Sequence, residues 1–201
     1  MSAVETAPTR LSTRDIARIA IFAAIIVALG LLGTIPVGPV PVTAQTLGVM
    51  LAGAVLGPKR GALAVLIVMV LVAVGLPVLS GGRGGLGVFV GPTAGYLLGW
   101  IPGALLMGAI VHLGQTRVLW WRVIIGGLVG GILAIYAVGI PVQALVMGLP
   151  LVDTALASIA FLPGDLIKVA AATIVTLGLW KAYPPVFGFR SRVARDASLA
   201  T

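Results

Sequence analysis

The chain of 201 residues is 60% hydrophobic and only 9% charged, whereas soluble domains are about half apolar and about a quarter charged. This composition excludes an ordinary soluble protein and indicates an integral membrane protein. Its 13 lysines and arginines against 5 acidic residues would suggest nucleic-acid binding in a soluble protein, but in a membrane protein basic residues gather in cytoplasmic loops. Cysteine is absent from the sequence, which excludes disulfides, thiolate metal sites and cysteine nucleophiles.

Six apolar segments have about the length needed to cross a hydrocarbon core about 30 Å thick. They are predicted at residues 16–35, 40–56, 61–79, 91–113, 123–146 and 156–180, the second being short and flanked by prolines. The first follows several arginines, as in a signal peptide. It lacks a persuasive small-residue cleavage site, however, so we interpret it as a retained helix.

The charges give an orientation for these spans. An even number of spans places both termini on one side, and Arg10, Arg14 and Arg18 assign that side to the cytoplasm by the positive-inside rule. All other basic residues except Arg83 and Lys168 then fall on the same side. The prediction is an all-α integral membrane protein with six transmembrane helices at 14–181, a cytoplasmic N-terminal tail at 1–13 and a cytoplasmic C-terminal tail at 182–201.

Arg83 is predicted in the outer loop between spans three and four, among five glycines from Gly81 to Gly87. Glycines let a backbone approach another surface closely, and a planar guanidinium suits a carboxylate. A solvated interfacial arginine is the alternative.

The same glycines match the spacing G-x-G-x-x-G, but the pattern does not indicate a dinucleotide site. A membrane span rather than a strand precedes it, and no acidic residue occurs between Asp15 and the predicted last outer loop, where Asp153 lies. A phosphate-loop motif is also absent from the sequence, so we do not expect the chain itself to hydrolyse ATP.

Asp165 and Lys168 lie three positions apart in span six, which places them on one face of a helix. The 15 residues from Asp165 to Trp180 correspond to about 22 Å of helix, which puts the pair in the outer part of the membrane. A charge near the middle of a span costs at least about 2.5 kcal/mol. The two residues therefore form a structural ion pair or the polar seat of a ligand, in which the carboxylate accepts N–H bonds and the ammonium donates.

Neutral polar residues add to this outer region. Thr43, Gln45 and Thr46 enter span two, where they either satisfy the backbone of a short helix or contribute to a site. Tyr96, Trp100 and the other tryptophans are interpreted as interface or packing aromatics, although Tyr96 is near enough to the glycine loop to line a pocket.

Small residues recur at helical spacing in three spans and permit close helix contacts. In spans four and five, glycines of this kind are expected to serve contacts within the bundle. Span one carries a comparable stripe of alanines, Ala20, Ala24 and Ala28.

Three segments, PVPVTAQTLGVMLAGAVLGPKRG, GLPVLSGGRGGLGVFVGPTAGYLLGW and FLPGDLIK, resemble the BioY family of biotin-binding S-components of energy-coupling factor (ECF) transporters. The resemblance spans about residues 14–181. It implies a six-helix protein of the bacterial cytoplasmic membrane that captures biotin from outside and has no catalytic or metal site. It also implies as partners a transmembrane T-component, contacted through the alanine stripe of span one, and two ATPase subunits.

The resemblance also implies which residues bind the ligand: Asp165, Lys168 and Arg83, together with Gln45, Thr43, Ser80 and Tyr96. The ureido ring of biotin has two N–H donors and one carbonyl, which Asp165 and Lys168 would meet, while Arg83 would meet the valerate carboxylate. The arrangement with Lys168 on the valerate is the alternative.

Two other functions are considered. A self-sufficient ion-coupled carrier for biotin or another small carboxylate would normally show internal repeats and acids in several spans, but here one span is acidic. An intramembrane enzyme would need Asp165 and His112 as catalysts, which are predicted roughly a membrane thickness apart.

Overall fold

The computed structural model describes residues 11–35 and 40–189, and within these ranges it is all-helical apart from one short hairpin. The first four helices are α1 (Thr13–Leu31), α2 (Gln45–Leu56), α3 (Pro58–Ala73) and α4 (Ala94–His112). A fifth run joins α5 (Trp120–Gly126), a π-helix (Gly127–Ala134) and α6 (Ile135–Met147). A sixth joins α7 (Leu151–Ser158), a 3-10 turn (Ile159–Phe161) and α8 (Leu162–Ala182). The predicted all-α class is confirmed.

Among the described residues, three helical runs are long and apolar enough to cross a membrane. They are Ala94–His112, Trp120–Met147 and Leu151–Ala182, and Gln45–Leu56 is a shorter apolar helix. These helices support the prediction of a membrane protein made from composition.

The second and third spans differ from their predicted bounds. Residues before α2 form strand β2 (Val42–Thr43), which pairs antiparallel with β1 (Thr34–Ile35), so the helix begins at Gln45 instead of residue 40. The third helix ends at Ala73, and Gly75 follows it with a φ of +96°. A glycine in the left-handed region ends a helix readily, so the segment before the glycine loop is irregular.

The last helical run begins earlier than predicted, and Asp153 was wrongly expected in a loop. It lies in the first turn of α7, which starts directly after Pro150. A carboxylate there interacts favourably with the helix dipole. The 3-10 turn at Ile159–Phe161 comes just before Pro163, which lacks the N–H that a continuous α-helix would use.

Helix α4 lies in the middle of the bundle and contacts α2, α3, α5 and α6. A Cβ at Gly95 would lie 2.5 Å from Cβ of Val142, and one at Gly99 would lie 2.9 Å from Cα of Ile135. The glycines of span four therefore serve contacts within the bundle, as expected. The alanine stripe of α1 differs because Ala20, Ala24 and Ala28 are all exposed.

The end of the bundle near residue 57 holds an ion pair and a packed C-terminal segment. Nη2 of Arg60 lies 3.0 Å from Oδ2 of Asp15 and joins α3 to α1. A 3-10 helix at Pro184–Phe187 folds against the bundle with Phe187 buried, and Nη2 of Arg18 donates to the Pro185 carbonyl at 3.1 Å. The predicted tail at 182–201 thus begins with a packed segment. Residues 190–201, like 1–10, lie outside the described residues.

Candidate ligand-binding site

An open cavity lies at the opposite end of the bundle, where α3 ends and α4 begins. The space within it measures about 690 Å³, open solvent at its mouth included. Its walls come from the start of α2, the glycine loop, α4, α6, the turn before α8, and α8 itself. The lining residues are Val40, Pro41, Val42, Thr43, Gln45, Thr46, Leu79, Arg83, Val88, Thr93, Tyr96, Leu97, Trp100, Gly131, Ile135, Tyr136, Phe161, Asp165 and Lys168.

The cavity brings together nearly all of the residues predicted from the sequence to bind a ligand. Of that set, Ser80 does not line it, and the others do. These residues come from positions as far apart as Thr43 and Lys168, so tertiary packing rather than local sequence assembles them.

Asp165 and Lys168 form the expected ion pair, with Lys168 Nζ 2.8 Å from Asp165 Oδ1. Only 8% of the Asp165 side chain and 13% of the Lys168 side chain are exposed. The other carboxylate oxygen, Oδ2, accepts a hydrogen bond of 2.6 Å from the Tyr136 hydroxyl. The sequence prediction missed Tyr136. A tyrosine within an apolar span could have indicated this contact, because a buried tyrosine hydroxyl usually has a hydrogen-bond partner.

Arg83 reaches the cavity from the glycine loop. Its Nε donates to the Ser80 carbonyl at 3.2 Å, and Nη1 lies 3.5 Å from Oγ1 of Thr93. Gly81 and Gly82 have φ values of +76° and +70°, which favour glycine and turn the chain sharply before the arginine. Among the described residues the two ion pairs are those of Asp165 and Asp15, so Arg83 brings a positive charge without a carboxylate partner.

Gln45 and Ser80 hold the wall of the cavity together. The Gln45 amide nitrogen donates to the carbonyls of Ile26 (3.4 Å) and Val78 (3.1 Å), and its oxygen accepts from the Ser80 N–H at 3.1 Å. The Ser80 hydroxyl donates to the Gly30 carbonyl at 2.9 Å. Gln45, at the start of α2, thus connects α1 with the segment just before the glycine loop. Its amide nitrogen and its amide oxygen both have hydrogen-bond partners within the protein. Direct ligand contact by these two residues stays a prediction.

Thr43 and Tyr96 line the cavity, but their hydroxyls also have partners in the protein. Thr43 Oγ1 accepts from the Gln45 N–H at 3.4 Å. The Tyr96 hydroxyl donates to Oε1 of Gln143 at 2.9 Å and lies 3.0 Å from Oγ of Ser158. Tyr96 therefore presents its ring to the cavity while its hydroxyl is held within a buried polar cluster.

The rest of the wall is largely apolar. Trp100, which was interpreted as an interface or packing aromatic, is 6% exposed and lines the cavity. Leu97 and Phe161 lie on the same wall. The site thus combines an apolar seat with a few convergent charges, which is typical of pockets for small molecules.

Comparisons with known proteins agree with this architecture. The BioY family profile, described as "BioY family", matches residues 4–185. "Biotin transporter BioY" of Rhizobium etli is 51% identical over 181 residues, covering 87% of this chain and 97% of the relative. "Biotin transporter BioY" of Rhodobacter capsulatus is 52% identical over 172 residues, covering 81% and 90%.

Solved structures give the same result. The S-component for biotin from an ECF-type ABC transporter superposes with a TM-score of 0.76 at 31% identity, covering 87% of this chain and 95% of that structure. FolT bound with folic acid shares the fold, with a TM-score of 0.60 at 18% identity. On the extent of the profile match and the identity to these relatives, this chain belongs to the BioY family.

Proposed function

We propose that the chain is the biotin-capturing membrane subunit of an ECF-type importer. The observation that carries this proposal is the convergence of Arg83, Asp165 and Lys168 on one open cavity. The identity of the ligand, biotin, is inferred from the names of the relatives, which are biotin transporters and a biotin S-component.

The charges of the cavity suit biotin. One carboxylate and two basic side chains line it, which leaves a net positive charge for a ligand with a single carboxylate. Asp165 accepts from the ureido N–H groups and Lys168 donates to the ureido carbonyl. Arg83, which has no carboxylate partner among the described residues, binds the valerate through its donor fork. The apolar wall around Trp100 receives the fused rings.

The direction of capture follows from where the basic residues lie. Lys59 and Arg60 are in the first turn of α3, at the end of the bundle opposite the cavity. The positive-inside rule places that end in the cytoplasm. We infer six membrane spans, cytoplasmic termini and a cavity that opens outward from the bacterial cytoplasmic membrane.

The proposed partners are a transmembrane T-component and two ATPases, which the likeness to an ECF-type S-component implies. The absence of a phosphate-binding loop from the sequence is consistent with energy supplied by such partners. The exposed alanines of α1 provide the contact with the T-component, since small residues allow close approach between helices. Ala24→Leu is expected to reduce co-purification of the partner subunits, because the larger side chain keeps the two helices apart. Biotin affinity should stay unchanged. Ala170→Leu, at an exposed position of α8, is the matched control, and equal effects of both variants would contradict this interface.

The cavity does not favour the alternatives. Asp165 is the acidic residue among those lining the site, so the described residues show no series of acids for an ion-coupled carrier. His112 bonds to the Ala54 carbonyl at 2.7 Å through Nε2 and does not line the cavity. The geometry therefore favours binding and transport over catalysis.

Calorimetry on the detergent-purified full chain tests the proposed function, with biotin, desthiobiotin and biotin amide as ligands. We expect saturable binding of biotin at one site and weaker binding of the amide, whose side chain lacks the negative charge. Desthiobiotin keeps the ureido group and carboxylate and should retain part of the affinity. Failure of the folded wild-type chain to bind biotin would refute the proposal.

A further inference from the structure

Tyr136 contacts the charged pair from a helix on the opposite wall, and the π-helix before it helps to place it there. Gly127–Ala134 is π-helical, and α6 begins directly afterwards at Ile135. Each residue added to a helix rotates all later residues by about 100° relative to a regular α-helix. The π-helix therefore sets which face of α6 is turned toward Asp165 of α8. Tyr136, its second residue, faces Asp165.

The hydrogen bonds to Asp165 are divided between its two oxygens. Lys168 donates to Oδ1 from the same helix, and the Tyr136 hydroxyl donates to Oδ2 at 2.6 Å from another. The latter distance is typical of a charge-assisted O–H···O⁻ bond. A lysine ammonium on a flexible stem does not fix the plane of a carboxylate, whereas a second donor on the other oxygen does. Each oxygen retains one lone pair that can accept from a ligand.

Tyr96 offers a natural comparison. Its ring packs edge to face against Tyr136, with centroids 6.0 Å apart and an interplanar angle of 82°, and both residues line the cavity. The Tyr96 hydroxyl, however, bonds to Gln143 and Ser158 rather than to Asp165. The two tyrosines thus share a ring environment and differ in what their hydroxyls hold.

We propose that Tyr136 is a positioning residue that sets the specificity of the site for N–H donors by holding the plane of the Asp165 carboxylate. This inference rests on the proposed function, because the ligand group it concerns is the ureido ring. With the carboxylate fixed by donors on both oxygens, its free lone pairs face the cavity. A ligand that places an oxygen there instead of an N–H meets electrostatic repulsion and loses a hydrogen bond.

The test compares Tyr136→Phe and Tyr96→Phe in the detergent-purified full chain by calorimetry. The ligands are biotin and its two carbamate analogues, each of which has one ureido N–H replaced by a ring oxygen of similar size. In the wild type, at least one analogue should bind about 30-fold more weakly, since the loss of a hydrogen bond to a charged group costs on the order of 2 kcal/mol. Tyr136→Phe should weaken biotin about tenfold and reduce that discrimination at least about fivefold. Tyr96→Phe should leave the discrimination within about twofold of the wild type, because its hydroxyl does not hold the carboxylate.

The outcomes separate this inference from the proposed function. Unchanged discrimination in Tyr136→Phe, or an equal loss in Tyr96→Phe, overturns the positioning role while biotin binding stands. Equal binding of biotin and both analogues by the wild type also overturns it. A folded wild-type chain that does not bind biotin would refute both the proposed function and this inference. If Tyr136→Phe does not fold, 3,5-difluorotyrosine at position 136 keeps the ring and changes the donor strength of the hydroxyl. It should change the discrimination, and the same substitution at position 96 should not.

Discussion

The two ion pairs of the described residues have nearly the same geometry and different surroundings. Lys168 and Asp165 lie 2.8 Å apart, and Arg60 and Asp15 lie 3.0 Å apart. The first pair lines an open cavity that is also lined by Arg83, which has no carboxylate partner among the described residues. The second lines no part of that cavity and connects two helices. An ion-pair distance therefore does not identify a binding site, whereas unused hydrogen-bonding capacity facing a cavity does.

Contacts within the protein account for the carboxylate of the second pair. Ser12 caps α1, its hydroxyl accepts from the Asp15 N–H at 3.2 Å, and Asp15 Oδ2 accepts from the Ser12 N–H at 3.2 Å. This is a capping box, which satisfies two backbone donors at a helix start. The Arg60 bond adds a connection to α3, so the carboxylate has a structural role that needs no ligand.

The largest effect should follow from disrupting the pair in the cavity. Asp165→Asn and Lys168→Ala are each expected to weaken biotin binding more than about tenfold, because each leaves a buried polar partner unsatisfied. Calorimetry on folded, detergent-purified variants measures this. Asp15→Asn is the matched control and should bind biotin as the wild type does. Wild-type affinity in both cavity variants would show that the pair is merely structural.

The contrast also shows what the sequence could predict. Asp165 and Lys168 are three positions apart, so helical geometry alone places them together. Asp15 and Arg60 are 45 positions apart, and their contact depends on how α1 packs against α3, which no local pattern specifies. Tyr136 was missed for the same reason, since its contact with Asp165 joins two helices.

Residue types indicated the site better than they indicated the role of each residue. Most of the polar residues singled out from the sequence line one cavity, but the structure shows the Gln45 amide bonded to backbone groups of Ile26, Val78 and Ser80. The small-residue stripes show the same limit. Spacing of four predicts close helix packing in α1 and α4 alike, and only the structure distinguishes the buried stripe from the exposed one.

A smaller effect is expected at Arg83, which brings charge to the cavity and has no acidic partner within the described part of the chain. Arg83→Gln should weaken biotin binding about fivefold, because a partly exposed charge pair contributes about 1 kcal/mol. The affinity for biotin amide should change less than about twofold, since the amide has no charge for the arginine to meet. Calorimetry with both ligands checks this. An equal loss of affinity for both ligands would show that Arg83 supports the glycine loop and does not bind the carboxylate. If instead Lys168→Ala no longer distinguished biotin from biotin amide, the valerate would be assigned to Lys168.

The smallest effect should come from the pair outside the cavity and should appear in stability instead of binding. Asp15 precedes the predicted span 16–35. Burial raises the pKa of its carboxyl, but the hydrogen bonds with Ser12 and the charges of Arg60 and Arg18 outweigh burial and hold the pKa below its ordinary value of 3.8. A carboxyl with a lowered pKa stabilises the folded state fully above its unfolded pKa and loses that contribution as the pH falls through the folded value.

Asp15→Asn should therefore lower the free energy of unfolding by about 0.5–1 kcal/mol at neutral pH. The difference from the wild type, followed by thermal unfolding in detergent, should shrink as the pH falls below 3.8. A difference that stays constant down to that range would mean that Asp15 stabilises α1 through its hydrogen bonds alone, independent of its charge.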